Sequence, residues 1–222
     1  MSREILVTRR GIVPYEEARE LQQTLAGRRQ RREIGDVLLL LEHPPVYTRG
    51  RRSSPEELPM GAAWYEAQGI EVRDTDRGGL VTYHGPGQLV AYPIVDLRGY
   101  GDDVHEYVRG LERTTIAALG EAGVRASVIE GLTGIWVGTR KIGSIGLHVS
   151  RGVTTHGLAV NVNNDLQPFE WVVPCGIEGV SMTSLTRELG AEQDLDAFAD
   201  MLVAAYARVF DRDPVAGDGI AA

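Results

Sequence analysis

Residues 37–41, Val37-Leu38-Leu39-Leu40-Leu41, form an unbroken apolar run closed by Glu42-His43-Pro44-Pro45. The run is too short for a helix and has no polar side, so it reads as a strand buried on both faces. A strand of that kind belongs in the middle of a sheet, and the flanking sequence supplies helices to pack on it. Upstream, Pro14 precedes Tyr15, Ala18, Leu21 and Leu25 at helical spacing, with proline near the helix start. Downstream, Val104, Tyr107, Val108, Leu111, Ala118, Leu119 and Ala122 make a second stripe, closed by Gly123. His105 lies off that stripe and is expected to be exposed. A third helix starts at the capping residue Asp194 and runs through Leu195, Phe198, Leu202, Tyr206 and Phe210.

Between these helices lie further strands. Residues 70–73 alternate, and 78–95 read as two strands joined in a hairpin at Gly85-Pro86-Gly87. Residues 127–129, 134–137, 141–149 and 155–162 add four more. Residues 46–66 read as a loop with at most a short helix near 61–68. Residues 1–213 are expected to form one domain, followed by a flexible tail over 214–222.

The chain has 222 residues and 43% hydrophobic content, enough for a substantial core. Its 23 Lys and Arg against 31 Asp and Glu give a net charge of −8, which argues against general nucleic-acid binding. One cysteine excludes an intramolecular disulfide framework and a Cys-rich zinc site. The start Met1-Ser2-Arg3-Glu4-Ile5 lacks a signal-peptide apolar region, and no run approaches the roughly 20 apolar residues of a membrane span. The expectation is a soluble cytoplasmic monomer with no membrane association. Arg28, Arg29, Arg31 and Arg32 end the first helix, where their charge complements the helix dipole. Alternatively they join Arg49, Arg51 and Arg52 in a basic patch suited to an acidic carrier.

The only cysteine, Cys175, sits between Pro174 and Gly176. Proline blocks helix continuation and glycine lets the backbone turn past a small reacting group, which suits a nucleophile. A lone cysteine is also commonly an inert core residue, because reactivity needs access and a lowered pKa. Lys141 precedes a strand dotted with Gly143 and Gly146. It reads either as a turn lysine or as a group pointing into a groove that those glycines open. His84 at its turn is either a polar turn residue or a substrate-positioning group. Neither a Walker spacing nor a GxGxxG opening a helix is present, so phosphate cradling has no support.

Five segments in order carry a family resemblance. They are Glu42-His43-Pro44-Pro45-Val46-Tyr47-Thr48; Arg77-Gly78-Gly79 with Thr82-Tyr83-His84-Gly85-Pro86-Gly87-Gln88; Lys141-Ile142-Gly143-Ser144-Ile145-Gly146; His156-Gly157-Leu158-Ala159-Val160-Asn161; and Pro174-Cys175-Gly176. Together they resemble lipoyl(octanoyl) transferase from about residue 35 to 185. The resemblance implies an α/β fold of the α+β type, a central mixed β-sheet flanked by helices, like the biotin- and lipoate-protein ligase catalytic domains. It implies transfer of an octanoyl group from octanoyl-acyl carrier protein to a lysine of a lipoyl domain, as in 2-oxoacid dehydrogenases and the glycine cleavage H protein, without metal or cofactor. Cys175 would be the nucleophile and Lys141 its partner. Arg77, Gly78, Gly79, Leu80, Val81, Thr82, Tyr83 and His84, with Ser144, Ile145, Gly146, Gly157, Leu158 and Ala159, would line the acyl site. Gly143 stands where the family more often has alanine, a change expected to alter only local packing.

The chemistry explains the need for both residues. A free thiol is mostly protonated near neutral pH, and an adjacent ammonium stabilises the thiolate. Thioester exchange onto a thiol is nearly isoenergetic and requires no ATP. Two carriers using one pocket in turn predict ping-pong kinetics. Three readings compete with this one. An ATP-dependent lipoate ligase of the same fold would not need Cys175. A non-catalytic carrier-binding module would tolerate its loss. A Cys-His hydrolase has no local sequence support.

Overall fold

The structure is a computed structural model that describes residues 2–172 and 180–217. Among these, two sheets form. The larger has eight strands: β1 (Glu4–Ile12), β2 (Asp36–Glu42), β6 (Gln88–Ile94), β7 (Ser127–Ile129), β8 (Leu132–Val137), β9 (Arg140–Ser150), β10 (Val153–Asn161) and β11 (Asp213–Ala216). Their spatial order is β11-β1-β2-β6-β10-β9-β8-β7. β1 runs parallel to β11 and β2, and all other neighbours are antiparallel, so the sheet is mixed. The smaller sheet has the order β4-β3-β5, with β3 (Val46–Arg49), β4 (Glu71–Asp74) and β5 (Thr82–His84).

The leucine run is β2, and alternation sends its side chains to two cores. Leu38 and Leu40 pack in the cluster that α3 (Val104–Glu121) and α5 (Leu195–Phe210) cover. Val37, Leu39 and Leu41 pack with Ala18, Leu25 and Ala26 of α1 (Tyr15–Gln30) on the other face. Asp194 and Asp103 cap α5 and α3, their carboxylates accepting from Ala197 N–H at 3.0 Å and His105 N–H at 2.8 Å. Two shorter helices, α2 (Ala62–Ala67) and α4 (Leu185–Leu189), complete the set.

Three readings of the sequence change. The expected 78–95 hairpin does not pair with itself, because β5 pairs with β3 in the small sheet while β6 lies between β2 and β10 in the large one. The reason is burial: every residue of β6 is buried, so it takes a neighbour on each side. Gly87, at φ +84°, makes the crossing, and a Cβ there would meet Asn164 N at 2.7 Å. The expected 46–66 loop begins with β3, whose Val46, Tyr47 and Thr48 are buried. The tail expected from 214 starts instead as β11, pairing Glu4 with Asp213 through Val7 with Ala216. β1 would otherwise expose an unpaired edge, and Pro214 is tolerated because an outermost strand can lack one N–H.

Candidate active site

Lys141 is the only lysine of the chain and is 4% exposed near the start of β9. Its N–H donates to Ser181 C=O at 2.9 Å, and its C=O accepts from Thr183 N–H at 2.9 Å. Residues 181–183 therefore run beside it, with Met182 as its parallel bridge partner. The Nζ lies 5.6 Å from the centre of the Trp136 ring. A tight spot in β8 accommodates this side chain: a Cβ on Gly134 would fall 2.6 Å from Lys141 Cε. Cys175, Pro174 and Gly176 lie outside the described residues, and Val172 and Val180 are the described residues that flank them in sequence.

Lys141 borders a cavity of about 560 Å³, a size typical of small-ligand sites. Residues 77–82 and His84 form one wall, and Ser144, Ile145, Gly146, Gly157, Leu158 and Ala159 line it from β9 and β10. Tyr83 does not line the cavity. Strand alternation turns it away, and its ring packs 5.5 Å from Tyr47 and 5.4 Å from Phe169, centre to centre.

Gly146 and Gly157 face each other across β9 and β10. A Cβ on Gly157 would lie 2.1 Å from Ala91 O, and one on Gly146 would lie 2.9 Å from Gly78 O. Gly157 thus leaves room for the β6 backbone beside β10, and Gly146 lets the 77–79 loop settle on the sheet, where Gly78 N–H donates to Leu147 C=O at 2.9 Å. Arg77 is 8% exposed and holds this loop to β3. Its Nη2 donates to Thr48 O at 2.6 Å and to Thr48 Oγ1 at 2.8 Å. Arg52 reaches the cavity rim, its N–H bonded to Gly79 C=O at 3.2 Å. Of the helix-end arginines, Arg29 pairs with Asp36 at 2.7 Å and Arg31 with Glu33 at 2.5 Å.

Several lining residues carried no sequence signal. Val104 sits on the apolar stripe of α3 but is 39% exposed on the cavity wall beside His105, which is exposed as expected. Tyr15 and Tyr92 also contribute, as does His156, which opens one of the motif segments but is not among the acyl-site residues that the resemblance implies. Behind them, His43 Nδ1 donates to Val13 C=O at 2.7 Å, which leaves Nε2 to accept from Tyr92 O–H at 2.7 Å. Burial pulls the His43 ring down to about 4. His156 adopts a left-handed φ of +58°, held by its N–H to Gln22 Oε1 at 2.7 Å. Its Nε2 meets Asp76 Oδ1 at 2.6 Å, and that hydrogen bond holds the Asp76 carboxyl at about 2. Burial lowers the His156 ring even so.

The arrangement suits an apolar chain lying in the cavity, with a buried amine at one border. Residues 14–207 match the family model described as the lipoyl protein ligase A/B catalytic domain. A protein of Chloroflexus aggregans named octanoyltransferase is 48% identical over 216 residues, covering 96% of this chain and 98% of its own. Among solved structures, a putative lipoate protein ligase from T. acidophilum superposes with a TM-score of 0.72 at 16% identity, covering 97% of this chain and 88% of its own. The biotin protein ligase of Aquifex aeolicus superposes at 0.52 and 11%, covering 95% and 70%. At these identities the two structures share the fold.

Proposed function

The chain belongs to the lipoyl protein ligase A/B catalytic-domain family, and we propose that it carries an octanoyl group from octanoyl-acyl carrier protein to the lysine of a lipoyl domain by way of a thioester on Cys175. The observation that carries this reading is the placing of the sole lysine. Lys141 is buried at an apolar cavity, and its backbone is bonded to residues 181–183, the part of the chain that follows the Cys175 segment.

In the first half-reaction the Cys175 thiolate attacks the octanoyl thioester carbonyl. The bond to the carrier's phosphopantetheine sulfur breaks, and that sulfur takes up a proton. Lys141, as an ammonium, stabilises the thiolate and supplies this proton. In the second half the acceptor amine attacks the Cys175 thioester, loses one proton to Lys141, and leaves as the amide while Cys175 departs as the thiolate, which restores the starting thiolate–ammonium pair. The acyl chain lies in the cavity that Leu80, Val81, Ile145, Leu158 and Ala159 help to line. Lipoyl domains of 2-oxoacid dehydrogenases and the glycine cleavage H protein are the acceptors this chemistry suits.

Intact-protein mass spectrometry tests the reading. Incubation with octanoyl-carrier protein, without ATP, should add one octanoyl mass to the wild type and none to Cys175→Ala. An acylated Cys175→Ala, or a strict need for ATP, would overturn it.

A further inference from the structure

His84 is 6% exposed, lines the cavity, and ends a hydrogen-bond chain whose polarity backbone carbonyls dictate. Gln88 Nε2 donates to Tyr83 C=O at 3.2 Å and to Asn161 Oδ1 at 2.8 Å. Asn161 Nδ2 donates in turn to Thr183 C=O at 3.0 Å. A backbone carbonyl only accepts, so neither amide can be turned round. Gln88 Oε1 must therefore be the acceptor in its 2.7 Å contact with His84 Nδ1, and Nδ1 carries the hydrogen. Burial, with His43 and Arg77 adding repulsion, pulls the ring down to about 3, so it is neutral near pH 7. Its Nε2 is then a bare lone pair, with no hydrogen-bond partner among the described residues. The same chain reaches Thr183, whose N–H is bonded to Lys141 C=O, so the two cavity groups are held on one frame.

We propose that His84 Nε2 accepts the N–H that stays on nitrogen when an acceptor amine takes the acyl group, and so aims that nitrogen's lone pair at the thioester carbon. This rests on the acyl-transfer reading above. The attacking amine has two hydrogens. One leaves with Lys141 as the carbon–nitrogen bond forms and the carbon–sulfur bond breaks; the other stays in the amide and is held by His84 throughout. A ring that keeps its lone pair near neutral pH orients the nitrogen without competing for the departing proton.

The product's side chain can be imitated by N-butyloctanamide, and butyl octanoate is the same shape without the N–H. Isothermal titration should show the wild type binding the amide about three- to tenfold more tightly than the ester, the range of one hydrogen bond. His84→Asn keeps a donor for Gln88 but has no nitrogen at the Nε2 position, and should bind both alike. On the wild type itself, long-range proton–nitrogen spectra should show His84 protonated at Nδ1, with Nε2 shifting on addition of the amide and not of the ester. Equal binding of amide and ester by the wild type, a preference that survives in His84→Asn, or an Nε2-protonated ring would overturn the proposal and leave the acyl slot standing. If the wild type binds neither compound, the acyl slot falls and the proposal with it.

Discussion

Gly134 and Lys141 are so close that a Cβ on the glycine would sit 2.6 Å from Lys141 Cε and 3.1 Å from its Nζ. Gly134 also has φ +130°, where side chains are strained. Gly134→Ala should therefore push the lysine aside. A drop in transfer rate of about 10²-fold is expected, the scale of a 1 Å misplacement, with a stability loss of about 2 kcal/mol. Turnover and thermal melting read the two effects apart. Transfer at the wild-type rate would show that the position of Lys141 does not matter.

Replacing Lys141 itself separates charge from proton transfer. Lys141→Ala should lower the transfer rate by about 10² to 10⁴, the range for losing a general acid–base group. Lys141→Arg keeps the positive charge but does not give up a proton, so it should retain thiolate reactivity toward an alkylating reagent while failing in transfer. Rapid-quench single-turnover assays and iodoacetamide labelling of Cys175 measure the two. An arginine variant with full transfer would remove Lys141 from proton handling.

Two glycines on neighbouring strands, β10 and β9, should respond unequally to alanine. A Cβ on Gly157 meets a backbone oxygen at 2.1 Å, which no side-chain rotation relieves. One on Gly143 meets the Ile135 Cδ1 tip at 3.1 Å, which can turn away. Urea denaturation should show Gly157→Ala losing about 3 kcal/mol and Gly143→Ala less than about 1 kcal/mol. Similar losses at both sites would contradict the packing described for β9 and β10.

Acid should destabilise the fold through its buried imidazoles. His43 and His84 titrate near 6.5 when exposed, but burial holds them at about 4 and about 3 in the folded chain. Their folded pKa values are depressed, so below pH 6.5 the unfolded chain takes up protons that the folded rings refuse. Stability is then full above pH 6.5 and falls as pH drops toward 4 and 3. At pH 4.5 each ring should cost about 2 to 3 kcal/mol. Denaturant midpoints at pH 7 and 4.5 test this, and His43→Asn should flatten the slope by its share. Midpoints that do not move would show these rings to be solvated.

Much of this was legible along the chain because it depends on local order. The leucine run had to be an interior strand, since five apolar residues without a polar side leave no face for water. The helical stripes placed α1, α3 and α5 for the same reason. The ordered motifs pointed to the loop at 77–84, the glycines at 146 and 157, and Lys141, which, apart from Tyr83, border one cavity; the Cys175 motif lies outside the described residues. Strand pairing was not legible, because partners are chosen by what lies beside them. β5 and β6, four residues apart, part into different sheets, and β11 is a strand because β1 has an edge to cover.

By itself, the sequence determined which residue types are available for the chemistry: one thiol, one lysine, and glycines where a loop must approach a sheet. Only the tertiary structure decided which neighbours give them their properties. Tyr83 faces away from the cavity between Thr82 and His84, which line it, because alternate side chains of a strand point to opposite faces. Likewise His84 owes its proton's position to Gln88, Asn161 and the Thr183 carbonyl, from parts of the chain up to 99 positions away (183 − 84). Hydrogen-bond polarity is passed between atoms within about 3 Å, and only folding brings those atoms that close.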